Sequence, residues 1–337
     1  MSKVSLIAAL CLVCSTTAFS APITQAPRVE VPSTAQPSAA QRVSQLSYTA
    51  QDKNATISER VTALNELANF PSQNALVAVA RGLSSEHKEI RLAAVEASTP
   101  YQLSYRWRLV SPLLADKDQD LRFAAAINLS KEFSKLDTPE QTSLSPVLAE
   151  LTSVLKTSES LEADLLLANI YRWTGDFENA QPLYQKLAND HPEYSADVWL
   201  HYADNYRAKS NDQQALKVLD EGLVYFKQDE NLLYSKALTL VRLDNKPQAA
   251  ISMQLAANKA KTNSYFWYLN GVLQEPIDMA QSVTSFEQAY LLSGAPEQLY
   301  ALCDIYIKSG SDKTEQCLAQ LSEIAPPKVV AQLKSQE

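Results

Sequence analysis

The sequence predicts an all-α solenoid, a stack of helical hairpins without a single enclosed cavity. Three observations predict it. Arg60, Arg91 and Arg122 recur 31 residues apart, each followed by an apolar or aromatic residue (Val61, Leu92, Phe123) and then an alanine (Ala63, Ala94, Ala125). From about residue 161 the spacing changes to roughly 34 residues, marked by small residues, aromatics and a turn before each repeat. Between these marks apolar residues fall at three- and four-residue steps, the period of a helix with one buried face. Each period is one supersecondary unit whose open face is buried only by stacking on its neighbours.

The first twenty residues read as a secretory leader: Lys3, an apolar run from Val4 to Val13, then small residues ending in Ala18-Phe19-Ser20 before Ala21. The apolar run is about ten residues, short of the roughly twenty that cross a bilayer, which favours cleavage after Ser20 over an uncleaved anchor. No later segment is apolar enough to span. Cys11 and Cys14 make a CxxC, but both lie inside the leader, and Ser15 stands where haem attachment needs a histidine. Leu10 and Val13 precede these cysteines where a lipidation signal has a small residue. Residues 21–40 carry Pro22, Pro27, Pro32 and Pro37 at five-residue intervals, which predicts an extended tether, or simply a disordered start.

The net charge is -8, and it is unevenly placed: 14 basic and 15 acidic residues over 21–160, against 15 basic and 23 acidic over 161–337. Neither half shows the basic stripe that nucleic-acid binding requires. The expected compartment is the periplasm.

Residues 41–135 hold the first period. Helical patterns run from Ile57 to Phe70, Gln73 to Ser84, Lys88 to Ser98, Tyr105 to Ala115 and Gln119 to Phe133. Polar breaks such as Ser84-Ser85-Glu86 and Asp116-Lys117-Asp118 turn the chain between them. The stretches Ser58-Glu59-Arg60-Val61-Thr62-Ala63-Leu64, Glu89-Ile90-Arg91-Leu92-Ala93-Ala94-Val95 and Asp120-Leu121-Arg122-Phe123-Ala124-Ala125-Ala126 resemble HEAT repeats. That resemblance implies a ladder in which each arginine bonds an acidic turn residue, with Glu86 and Asp118 as candidates, and the first repeat lacks a clear acid. The aligned arginines also admit an anion-binding strip. Of the two readings, the ladder is favoured, because charge-assisted pairs commonly set register.

Residues 136–160 read as a connecting helix with Leu144, Val147, Leu148, Leu151 and Leu155 on one face. Residues 161–326 carry the second period. In its first unit Leu167, Ala168, Tyr171, Gly175, Ala180, Tyr184, Leu187 and Pro192 fall on the spacing of tetratricopeptide repeats (TPRs), which the whole segment resembles. Trp199, Ala203, Tyr206, Ala215 and Leu219 mark a second unit, and Leu233, Ala237, Leu240, Ala249, Met253 and Ala256 a third. The fourth keeps Trp267, Gly271, Phe286 and Ala289, but Pro276 and a one-residue shift predict a distorted turn. The fifth has Leu299, Leu302, Cys303, Tyr306 and Gly310, and residues 327–337 form a cap.

The TPR resemblance implies a groove lined by the first helix of each repeat. Carried over by position, the lining is Leu165, Asn169, Arg172 and Trp173, then Leu200, Asp204 and Arg207, then Tyr234, Leu238 and Arg242. Tyr265 and Tyr268 follow, with Tyr300 and Asp304 from the last unit. Asparagine bonds an extended backbone, arginine grips a carboxylate with two donors, and tyrosine offers flat area at low entropy cost. The lysines of the family's chaperone-tail clamp are absent, so that specificity is not carried over. The resemblance also places Cys303 and Cys317 at facing small-residue positions, as a disulfide or as two buried thiols.

Enzyme chemistry finds no footing. The six glycines lie too far apart for a phosphate loop or a nucleophile elbow, and His87, His191 and His201 form no metal-ligand spacing. The sequence therefore predicts a non-enzymatic, exported scaffold or adaptor. It binds one or more proteins through a peptide or partner helix, with no cofactor, metal, nucleic acid, membrane span or small-molecule substrate. A HEAT-like array followed by a TPR array also resembles the C-terminal part of some multihaem c-type cytochromes. Without a CxxCH, that likeness implies an assembly factor or accessory subunit of a respiratory or cytochrome system.

Overall fold

The structure, a computed structural model, describes residues 39–335; the predicted leader and most of the predicted tether lie outside them. Residues 43–335 belong to one compact unit, and the account below is chiefly of that unit. Every regular element among the described residues is helical.

Helix α1 (Ala39–Gln51) already includes Ala39 and Ala40, the end of the predicted tether. α2 (Ile57–Leu67), α3 (Gln73–Leu83), α4 (Lys88–Ala97) and α6 (Gln119–Ser130) start at the predicted residues. Thr56 and Glu59 close a capping box at α2, and Ser72 caps α3. α5 (Leu103–Val110) is shorter than predicted and tightens into a 3-10 turn over Ser111–Ala115. Pro112 has no N–H for the next α-helical bond, and the tighter turn absorbs the loss. α2 packs on α4, α4 on α6, and α6 on α7 (Thr138–Leu155).

Two of the three aligned arginines, Arg91 and Arg122, make rungs along this stack. Arg91 Nη1 donates to the carbonyls of Ser85 (2.7 Å) and Glu86 (3.2 Å), while its Nε lies 3.8 Å from the Asp116 carboxylate of the next repeat. Arg122 repeats the pattern: Nη1 donates to the carbonyls of Asp116 (3.0 Å) and Lys117 (3.2 Å), and Nη2 to Glu150 (2.7 Å). The acids differ from those expected. Glu86 contributes its main-chain oxygen, and Asp118 is occupied as the N-cap of α6 and by Lys88 at 3.0 Å. A second device was not read from the sequence: Arg106, 2% exposed, donates to the carbonyls of Tyr101 (3.0 Å) and Asn128 (2.8 Å) and pairs with Glu132. Asn128 in turn donates to Val95 O at 2.9 Å, which ties the ends of α4 and α6 together.

Five hairpins follow: α8 (Leu161–Trp173) with α9 (Phe177–Asp190), α10 (Ala196–Ala208) with α11 (Asp212–Tyr225), α12 (Glu230–Arg242) with α13 (Lys246–Lys259), α14 (Ser264–Gln274) with α15 (Met279–Ser293), and α16 (Pro296–Ser309) with α17 (Thr314–Ile324). A last helix, α18 (Pro327–Lys334), packs on α17. At the matched small-residue positions of paired helices stand Ala168 and Ala180, Ala203 and Ala215, and Ala237 and Ala249, all 0% exposed. Ser282 takes the alanine's place in the fourth hairpin and donates to Gly271 O at 2.8 Å. In the fifth, Cys303 and Cys317 take both places and are joined by a disulfide, Cα to Cα 5.5 Å. Within the second hairpin the fit is equally close further along, since a Cβ on Gly222 of α11 would stand 2.6 Å from Trp199 Cβ of α10.

Four of the five inter-helix turns are built alike. Gly175, Ser210, Asp244 and Gly310 have positive φ, and the next N–H reaches back to Tyr171, Tyr206, Leu240 and Tyr306 at 2.8, 2.9, 2.8 and 2.9 Å. The fourth hairpin departs from this, as Pro276 and the one-residue shift predict: Asp278 N bonds Gln274 O instead, at 2.7 Å.

Candidate interaction face of the second array

The first helices of these hairpins lie side by side: α10 touches α8 and α12, and the Tyr234 ring of α12 stacks on Phe266 of α14 at 4.7 Å. Repeat spacing puts Asn169, Asp204, Leu238, Val272 and Asp304 at one equivalent position on them. The shared face changes character along the array.

At its start the face is polar and tightly bonded. Tyr184, reaching across from α9, donates to Asn169 Oδ1 at 2.7 Å and accepts from Arg172 Nε at 3.2 Å. Burial pushes the Tyr184 hydroxyl up to about 12, so it stays a donor at any physiological pH. Asn169, expected to meet a peptide backbone, is 7% exposed with its oxygen already engaged. Trp173 is likewise half-buried, against the apolar cluster that runs from Ala50 to Ile170. Both were expected to line the groove; the structure shows Asn169 Oδ1 held by Tyr184 and Trp173 partly covered by that cluster.

Arg172, Asp204 and Arg207 do come together. One carboxylate serves two guanidinium groups: Asp204 lies 3.9 Å from Arg172 Nη1 and also pairs with Arg207. Arg207 Nη1 donates to Ser235 Oγ at 3.1 Å. Burial, with the charges of Arg242 and Arg172 nearby, brings Arg207 down to about 10, which still leaves it cationic at neutral pH. Arg242 is held apart by Asp212 (2.7 Å) and Thr239 (2.9 Å). His201, beside Arg172, was not singled out from the sequence; burial holds it down to about 4, and its buried Nδ1 has no hydrogen-bond partner.

Further along, the same face is apolar and aromatic. Tyr234 meets Tyr265 edge-on at 6.4 Å, Tyr268 meets Phe286 at 5.6 Å, and Tyr265, Val241 and Val272 are 52%, 38% and 42% exposed. Leu238, Tyr268 and Tyr300 are half-buried beside them. At the far end Lys308 bridges Asp304 (2.7 Å) and Glu275 (2.8 Å), two partners that spacing alone did not reveal. Among the described residues no three potential metal ligands cluster, and no helix is long and apolar enough to cross a membrane.

No protein-family model matches the sequence, and no curated protein does either. Several solved structures are similar in part. YrrB, described as a TPR protein with an unusual peptide-binding site, is 17% identical with a TM-score of 0.45, covering 56% of this chain and 98% of its own. MamA from Desulfovibrio magneticus is 13% identical with a TM-score of 0.41, covering 53% and 98%. TTC0263, a thermophilic TPR protein in Thermus thermophilus, is 16% identical with a TM-score of 0.37, covering 61% and 100%. Likeness of this degree carries no functional inference, and the solenoid stands on the hairpins themselves.

Proposed function

We propose that this chain is a protein-interaction scaffold whose second array binds a peptide segment along the first-helix face. One observation carries the reading. Arg172 and Arg207 share the single carboxylate of Asp204, leaving excess positive charge beside the exposed Tyr265, Val241 and Val272. A carboxylate on the partner satisfies the spare guanidinium donors, and an apolar or aromatic anchor covers the neighbouring patch. The preferred ligand is therefore an amphipathic segment with an acidic residue at one end. Export to an oxidising compartment is part of this proposal, supported by the leader pattern and by the Cys303–Cys317 disulfide.

Selection of random peptides on the immobilised chain tests it. Enriched peptides are expected to pair Asp or Glu with an apolar or aromatic residue. Arg172→Gln combined with Arg207→Gln is expected to weaken them at least about tenfold with helicity unchanged. Peptides that lack an acid, or that bind the double variant equally well, would move the site off this face.

A further inference from the structure

A second binding site is written into the first array by a rung that the fold leaves open. The rungs at Arg91 and Arg122 each end on a carboxylate from the following element, Asp116 and Glu150. Adding the 31-residue period to the geometry shows which residue ought to complete the rung at Arg60. Asp116 O accepts from Arg122 Nη1 and Asp116 Oδ1 from the N–H of Asp118; one repeat earlier Ser85 O accepts from Arg91 Nη1 and Ser85 Oγ from the N–H of His87. Ser85 thus occupies the position of Asp116 in every bonded respect, but carries a hydroxyl in place of a carboxylate.

Arg60 is turned differently from the other two: its Nε, the atom that faces Asp116 in Arg91, donates to the carbonyl of Ala50 at 3.2 Å, a neutral partner, which leaves its terminal nitrogens to meet a carboxylate. Around it lies a cleft of about 620 Å³ whose walls include Lys53, Arg60, Arg81, Ser85, Glu86 and His87. Arg81 reaches only the neutral amide oxygen of Gln51. Among the described residues none of Lys53, Arg60 and Arg81 has a carboxylate within 4.0 Å. Three cations face a cleft with one acid, Glu86, in a chain whose net charge is -8. At Arg91 and Arg122 the guanidinium is neutralised by a carboxylate.

We infer that this cleft binds a carboxylate group, which completes the Arg60 rung in place of the missing aspartate, with Arg60 as the fork and Arg81 and Lys53 as flanking charges. A carboxylate fits because both closed rungs set one against the guanidinium, at Nε of Arg91 and at Nη2 of Arg122, and the planar fork of arginine matches it. The site is independent of the first-helix face of the second array.

The Arg Nε–Hε resonances of the 15N-labelled full-length chain report on it directly. Three probes separate the sources: an acetylated Gly-Glu-Gly amide, an acetylated Gly-Gly-Gly with a free C-terminus, and inorganic phosphate. Saturable shifts at Arg60 and Arg81 are expected with at least one of the two carboxylate probes, and the tighter one identifies a side-chain or a terminal carboxylate as the natural group. Ser85→Asp closes the rung internally. It is expected to weaken binding at least about tenfold and to raise the melting temperature by roughly 1–2 °C, while Arg60→Gln abolishes binding without that gain. Unshifted Arg60, equal binding to Ser85→Asp as judged folded by circular dichroism, or phosphate binding tighter than both carboxylates would each overturn the assignment.

Discussion

The imidazole of His201 has Nδ1 buried and unbonded and feels the charge of Arg172, so protonation there meets both a desolvation cost and a like charge. Its folded value is held down to about 4 against 6.5 for the free side chain. Between those values the unfolded chain takes up a proton that the folded chain refuses, so stability declines as pH falls through the window and levels off below it. The full difference is on the order of 2–3 kcal/mol. Carboxylates contribute mainly below about pH 5, which leaves the stretch from about pH 7 to 5 to histidine. Urea melts across that range are expected to show a slope in the wild type that His201→Gln removes. A slope that persists in the variant would put the imidazole in water, away from Arg172.

The turns that join paired helices repeat one backbone shape with different residues in it. Gly175 and Gly310 adopt the left-handed conformation without penalty, whereas Ser210 and Asp244 are held at φ 57° and 56° with side chains exposed. Ser210→Gly and Asp244→Gly are each expected to stabilise the array by roughly 0.5–1 kcal/mol, and Gly175→Ala to destabilise it by about 1 kcal/mol, in chemical denaturation. A loss of stability at Ser210→Gly would mean that chain entropy in the unfolded state outweighs the relieved strain. The hairpins were legible in the sequence because helices crossing at close range require small residues, so Ala168 and Ala180 recur at a fixed spacing whatever surrounds them. The ladder acid was not legible. Asp116, Asp118 and Asp120 stand within five residues of one another, and only the fold shows Asp118 spent as a cap and Asp116 turned to Arg91. Spacing along one helix also did not show which side chains arrive from another, as Tyr184 does at Asn169. Ser85 had no signal of its own, because an absent charge is visible only once the register is known.

A stack of hairpins is held by nearest neighbours, so its last member has one interface where the others have two. Here that member is cross-linked at its own crossing point, between Cys303 and Cys317, 14 residues apart, where the first three hairpins carry two alanines. Replacing both cysteines by alanine therefore restores a packing pair the array already uses and removes little besides the link. Loop closure over this length is worth roughly 3 kcal/mol by the chain-entropy argument. Because coupling runs only between neighbours, the loss is expected to stay local. Hydrogen exchange in the Cys303→Ala, Cys317→Ala chain should accelerate in α16, α17 and α18 and leave α8 to α11 protected as before. Reduction of the wild type should reproduce the pattern. Acceleration spread evenly over all five hairpins would instead show that the array opens as one cooperative body, with the disulfide securing the entire interaction face and not only its end.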